Sequence, residues 1–334
     1  MIFDVLILIL SLVIILAGAE VFTNSVEWLG RKLNLGARAV GSIFAAVGTA
    51  MPETMVPIIA ILGSGGSAAG HDVGIGAILG APFMLATLAM CVTGVAAFIK
   101  RRNNSVMHII PEVMRRDMLF FILVYTPAIL AAFLPLHSLK VAVAVFLCCA
   151  YFYYVYQTVK TSIGGDSDGD ELAPLYFLRK SSDPHLAVVL FQLAFALALI
   201  ICGAHLFVGS VEVVALALSV PVFVLSLIIT PVATELPEKF NSIIWVSRGK
   251  DTLALGNITG AMVFQSSLLP ALGILLTEWD LEPLALTSAA LALIAVLYQY
   301  SGLFNKRHGL KPSHLIAGGF FYAVFIAVVV TGIL

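Results

Sequence analysis

The chain has 334 residues, 60% of them hydrophobic and 11% charged, with a formal net charge of −1 and a mean hydropathy of +1.05. Soluble domains carry about 25% charged residues, so this composition excludes a water-soluble globular protein and indicates an integral membrane protein. The balanced charge gives no footing for a nucleic-acid partner. The four cysteines, Cys91, Cys148, Cys149 and Cys202, lie in apolar runs without the spacing of a disulfide framework or a zinc site.

A membrane-spanning helix needs about 20 apolar residues, and ten candidates follow one another along the chain. Their approximate limits are 2–26, 38–63, 72–99, 118–135, 139–160, 185–208, 215–247, 252–277, 283–304 and 313–333. The first has no basic leader and is apolar from Phe3 onward, so it reads as an uncleaved span and not a signal peptide. The longest polar break, 161–184, holds the run from Gly164 to Glu171, which is acidic and glycine-rich as an exposed linker is. The expected fold is therefore all-α integral membrane, ten transmembrane helices arranged as two inverted five-helix repeats. Residues 1–160 form the first repeat, 161–184 a cytoplasmic linker and 185–334 the second repeat.

Basic residues set the orientation. Arg31, Lys32 and Arg38 follow span 1, Lys100, Arg101, Arg102, Arg115 and Arg116 follow span 3, and Lys160, Arg179 and Lys180 follow span 5. Arg248 and Lys250 follow span 7, and Lys306, Arg307 and Lys311 follow span 9, whereas the opposite side carries only Lys140. The positive-inside rule makes the basic loops cytoplasmic and both termini extracytoplasmic. The expected location is the plasma (inner) membrane of a prokaryote.

The halves repeat. Residues 18–27 (GAEVFTNSVE) align without gaps to 203–212 (GAHLFVGSVE), six of ten positions being identical at an offset of 185. The same offset sets Thr49 on Thr234, Pro52 on Pro237 and Glu53 on Glu238, and an offset of 180 sets Gly76 and Gly80 on Gly256 and Gly260. Five spans per half, an odd number, make the halves enter the membrane in opposite directions. Inverted repeats with matched broken helices mark secondary transporters with a midplane site.

Each repeat carries a Thr-x-x-Pro-Glu unit inside a span. An intramembrane carboxylate is costly and is by default a functional-site hypothesis. Proline removes a donor and displaces the carbonyl four residues back, so Pro52 and Pro237 should free carbonyls near Gly48 and Ala233. Thr49 with Glu53, and Thr234 with Glu238, share a helix face at a spacing of four. Carbonyls, hydroxyls and carboxylates are the hard oxygens that Ca²⁺ and Na⁺ prefer, and two carboxylates match a divalent charge. A proline or threonine alone would read as packing or as a hydroxyl bonded to its own backbone. Duplication of the whole unit is what singles it out. The G-x-x-x-G pairs fit spans 3 and 8 pressed against the broken helices.

These segments resemble the two α-repeats of the sodium/calcium exchanger family, within the calcium/cation antiporters. The matching stretches are Ser25-Val26-Glu27 with Gly48-Thr49-Ala50-Met51-Pro52-Glu53, and Gly209-Ser210-Val211-Glu212 with Ala233-Thr234-Glu235-Leu236-Pro237-Glu238. The resemblance implies ten helices, a central site with Glu53 and Glu238 as main ligands, help from carbonyls near Ala46 and Pro231, and alternating access by sliding of spans 1 and 6. The chain departs from the family pattern at Ala50 and Glu235, which stand where serines are usual. It departs again at Ala81-Pro82 and Ala261-Met262 in place of Ser-Asn, and at Leu85 and Gln265 in place of an Asn or Asp ligand. Glu235 has two open readings: a proton-carrying group, because a buried carboxylate lacking a partner has a raised pKa, or a helix ion pair with Lys239 four residues on.

The expected function is secondary antiport of Ca²⁺ against Na⁺ by alternating access, the alternative being a proton-coupled divalent antiporter that uses Glu235. A passive channel or a cation sensor that does not transport are the rivals. No enzymatic cluster of nucleophile and base has workable spacing, and no cofactor is expected beyond the transported Ca²⁺ and Na⁺ or H⁺. Membrane lipid and the transported cations are the expected partners, with no nucleic acid and a monomeric state.

Overall fold

The computed structural model describes residues 2–33, 50–63, 65, 67–101, 106–162, 173–179, 181, 183–303 and 310–332. These residues fold into α1 (Ile2–Lys32), α2 (Met51–Gly63), α3 (Ala68–Met84), α4 (Met90–Arg101), α5 (Pro111–Leu130) and α6 (His137–Ser162). The second half supplies α7 (Leu186–Leu218), α8 (Val222–Thr234), α9 (Leu236–Ser247), α10 (Asp251–Leu276), α11 (Pro283–Gly302) and α12 (Pro312–Thr331). A π turn, Leu85–Ala89, joins α3 to α4 as one span. The protein is an all-helical membrane protein, and eight helices among the described residues are long and apolar enough to cross a bilayer. The two remaining expected spans are the ones that carry the motifs. Of 38–63 the described part is α2, and 215–247 is split into α8 and α9 at Glu235.

Several boundaries differ from expectation: the first helix runs past 26 to Lys32, the seventh span starts at Val222 and not near 215, and the fourth and sixth spans are longer for reasons that are local. The fourth span starts at Pro111, not near 118, because proline at the first helical position loses nothing by lacking an N–H and already has a helical φ. This draws Asp117 into the helix, where the carboxylate takes a 2.8 Å bond from Thr259 and a 3.1 Å bond from Arg116. The sixth span, expected to end near 208, runs to Leu218 and stops where Ser219 turns left-handed (φ 56°) ahead of Pro221.

The chain divides into two compact units, and each draws on both halves of the sequence. The first is Met1–Gly70 with Phe152–Val220, the second His71–Tyr151 with Pro221–Leu334. In the first unit α1 and α7 lie along one another, brought close by two glycines. A Cβ on Gly18 would stand 2.9 Å from Ile200, and one on Gly203 would stand 2.8 Å from Ile15. Gly18 and Gly203, like Ile15 and Ile200, are 185 positions apart, so each glycine takes the isoleucine of the other repeat. Such reciprocity is what a local two-fold relation produces.

Residues 173–179, 181 and 183 strap the ends of these two helices together. Gln192 of α7 donates to Asn24 Oδ1 (3.0 Å) and Ser25 Oγ (2.8 Å), and its own carbonyl oxygen accepts from the Phe177 N–H (2.9 Å). Trp28 donates to the Ala173 carbonyl at 2.9 Å, and Lys32 holds Asp183 at 2.5 Å. That ammonium lowers the Asp183 carboxyl below its ordinary pKa. The Tyr176 hydroxyl donates to Glu20 Oε1 at 2.7 Å, which raises the phenol.

In the second unit α3 is the central span, and it packs against α8 through Gly76 and Gly80. A Cβ on Gly76 would lie 2.7 Å from the Phe223 carbonyl, and one on Gly80 would overlap the Leu227 carbonyl. Pro231 explains the second approach: it has no N–H to offer Leu227, four residues back, and the carbonyl so released faces a residue without a side chain. The glycine pair therefore presses span 3 against the second broken helix, as expected. Gly256 and Gly260 meet nothing within 4 Å among the described residues. Their expected partner is the first broken helix, 38–63, of which 38–49 lie outside the described residues. Inside the π turn, Gln299 Nε2 of α11 caps the Ala86 carbonyl at 2.8 Å.

Candidate cation site

A helix starts at the same register in both motifs. In the second, α8 ends at Thr234, Glu235 leaves helical geometry (φ −96°, ψ 7°), and α9 restarts at Leu236 with Pro237 in its first turn. In the first, Ala50 is a turn residue and α2 starts at Met51 with Pro52 and Glu53 in its first turn. Met51 and Leu236 are 185 apart, as the repeat requires. The first helical bond is the same in both: Thr54 N–H to Ala50 O and Lys239 N–H to Glu235 O, each 3.2 Å. A proline in the first turn costs nothing there, and the exposed N–H groups of a helix start favour a nearby carboxylate.

Glu53 is buried, 5% exposed, and belongs to the first unit. Pro57, one turn on, gives no N–H to the Glu53 carbonyl, so main chain and side chain both present oxygen at this helix start. The expected ligands Thr49 and Ala46 lie outside the described residues. Glu238 stands in the first turn of α9, and its side chain is likewise outside them.

The second unit holds the rest of the expected set, and here the structure brings Pro231 and Glu235 together around Lys239. Lys239 Nζ lies 3.2 Å from Glu235 Oε2 and donates to the Pro231 carbonyl at 3.1 Å and to the Met84 sulfur at 2.8 Å. Both side chains are withdrawn from solvent, 13% exposed for Lys239 and 1% for Glu235. Of the two open readings of Glu235, the ion pair is the one found. The Pro231 carbonyl also accepts the Glu235 N–H at 3.2 Å, so its two acceptor positions are in use.

Thr234 donates to its own helix, at the Thr230 carbonyl (3.0 Å), which leaves its oxygen lone pairs as acceptors. Above it a ladder continues: Thr230 Oγ1 lies 3.1 Å from Ser226 Oγ, and Ser226 donates to the Val73 carbonyl at 2.8 Å. The sequence does not single out Ser226 and Thr230 on their own, although Ser226, Thr230 and Thr234 follow one another at intervals of four on one apolar helix. Met84 gave no signal. Gln265 of α10 is 3% exposed, and its Oε1 has no hydrogen-bond partner among the described residues. A buried amide oxygen left in that state is costly to folding, which is grounds for giving it a use elsewhere.

Among the described residues no three His, Cys, Asp or Glu side chains converge as a metal-binding group. What the second motif shows instead is a buried carboxylate, Glu235, whose counter-ion is the Lys239 ammonium, and a threonine hydroxyl, Thr234, on the helix that ends there.

The model of the sodium/calcium exchanger protein family matches residues 3–160 and 188–334. The chain belongs to that family. "Inner membrane protein YrbG" of Escherichia coli (strain K12) is 23% identical over 320 residues, covering 94% of this chain and 93% of its own. Among solved structures, the H⁺/Ca²⁺ exchanger CAX superposes with a TM-score of 0.72 at 16% identity, over 98% of this chain and 82% of that one. The sodium-calcium exchanger NCX_Mj, from a crystal soaked with Na⁺ and Sr²⁺, gives a TM-score of 0.58 at 22% identity over 98% of both chains. The fold is shared with both.

Proposed function

We propose that the protein is a secondary antiporter that exchanges Ca²⁺ against Na⁺ or H⁺ by alternating access. Glu53 and Glu238 are its principal ligands, assisted by Thr49, Thr234, Gln265 and the carbonyl of Ala46. The observation that carries this reading is the duplicated Thr-x-x-Pro-Glu unit, whose two copies start helices at Met51 and Leu236 with a glutamate in the first turn of each. Two carboxylates supply the charge that a divalent ion neutralises, and freed carbonyls and hydroxyls replace part of its hydration shell. Coupling follows from differential binding: the cations favour the states they bind better, and the empty, charged site disfavours crossing. Membership of the exchanger family and the reciprocal packing of Gly18 and Gly203 support the repeat on which the reading rests.

The test replaces one charge at a time. Glu53→Gln and Glu238→Gln should each cut ⁴⁵Ca²⁺ exchange in proteoliposomes by at least about 100-fold, because a carboxylate ligand to a desolvated cation is worth several kcal/mol. Their elution as intact protein should be unchanged. Exchange at the parent rate in either variant would remove that residue from the site.

A further inference from the structure

We propose that Lys239 is a resident monovalent cation: its ammonium fills a subsite in the second broken helix that a free alkali ion would otherwise take. The proposal rests on reading the second motif as a cation site, and it adds an occupant that the motif does not announce. The ammonium has a carboxylate oxygen at 3.2 Å, a main-chain carbonyl at the helix break at 3.1 Å and a thioether sulfur at 2.8 Å. Carboxylate plus break carbonyl is the donor pair that suits Na⁺, and an ammonium satisfies the same charge requirement.

The other repeat shows that the pair is not needed to build this turn. Ala50 and Thr54 stand where Glu235 and Lys239 stand, and the backbone bond between the two positions is the same length in both copies, 3.2 Å. Thr54 there returns its hydroxyl to the Ala50 carbonyl at 2.8 Å. The same first helical turn thus starts with no charged side chain at these two positions, whereas the second copy carries a carboxylate and an ammonium together. Burying an ion pair costs desolvation that packing alone does not require. A carboxylate matched by a cation on a four-carbon tether accounts for both changes: the site gains an anion and carries its own counter-ion, which cannot leave with the cargo. Lys239 also holds the Pro231 carbonyl, so a free ion reaches that oxygen only if the ammonium moves away.

Removing the tethered charge should therefore create a site for a free one. The experiment is thermal unfolding of the detergent-purified full chain in LiCl, NaCl or KCl, each against choline chloride at equal ionic strength. It compares the parent, Lys239→Gln, Lys239→Arg and the double variant Glu235→Gln/Lys239→Gln. Lys239→Gln should gain a rise in midpoint, in at least one alkali salt at about 100 mM, that exceeds the parent's by about 3 °C. Lys239→Arg, which keeps the charge, and the double variant, which lacks the anion, should show no such gain. A Lys239→Gln response no larger than the parent's overturns the proposal. So does failure to recover Lys239→Gln at about 300 mM of every alkali salt, since a free ion should then replace the ammonium by mass action. A purely structural ion pair would lower the midpoint of Lys239→Gln equally in choline and in alkali salt. Failure of the antiport reading shows separately, as absence of Ca²⁺ exchange by the parent.

Discussion

Gln265 separates folding from function more cleanly than any other residue of the candidate site. Its Oε1 is buried without a hydrogen-bond partner among the described residues, and the first repeat has Leu85 at the same position. Gln265→Leu should leave the unfolding midpoint unchanged or raise it, because an unsatisfied buried polar atom is removed. It should also weaken the apparent Ca²⁺ affinity by about 10-fold, the scale of one neutral oxygen ligand at about 1.4 kcal/mol. A lowered midpoint with unchanged affinity would make Gln265 a packing residue. The residues legible in the sequence were those that break a rule twice, glutamates behind prolines in apolar spans. Lys239 was visible as a partner for Glu235, but its grip on the Pro231 carbonyl depends on the helix break closing a turn, which spacing alone does not give.

The helix breaks depend on what packs against them. Pro231 frees the Leu227 carbonyl, and Gly80 is the only residue type that lets α3 approach it, since an added Cβ would meet main-chain oxygen and the Pro231 ring. Gly80→Ala should therefore cost about 1–3 kcal/mol and reduce Ca²⁺ exchange, read as a lower unfolding midpoint and slower flux. Gly256→Ala, which meets nothing within 4 Å among the described residues, should cost less than Gly80→Ala. Equal losses at the two positions would contradict the packing described. Helix existence and the break at Glu235 were legible because hydropathy and proline are local signals. The ends of α5 and α7 were not: the bilayer requirement sets a minimum length, and a helix runs on past it until a Pro or a left-handed residue stops it.

At the scale of the whole molecule, the family match covers 3–160 and 188–334 and passes over the stretch read from composition as a linker, 161–184. Among the described residues 173–179, 181 and 183, side-chain bonds tie the end of that stretch to α1 and α7, and the Lys32–Asp183 pair has a defined pH response. Lys32 lowers the Asp183 pKa, so the contribution is complete above the ordinary value of 3.8 and is lost as pH falls through the lowered one. Protection of the Asp183 region from proteolysis should be flat from neutral pH down to about 5, and loss of protection near pH 6 would assign the strap to another group. The two compact units were not legible, because each is assembled from segments of both repeats and contact between distant segments leaves no mark in hydropathy.

The most direct test of antiport is ⁴⁵Ca²⁺ uptake into proteoliposomes of the parent protein under an imposed Na⁺ gradient, an imposed pH gradient, or neither. The account predicts uptake against the Ca²⁺ gradient in at least one of the first two and none in the third. Uptake that merely follows the Ca²⁺ gradient, at the same rate whichever ion gradient is imposed, would make the protein a passive pathway and contradict it.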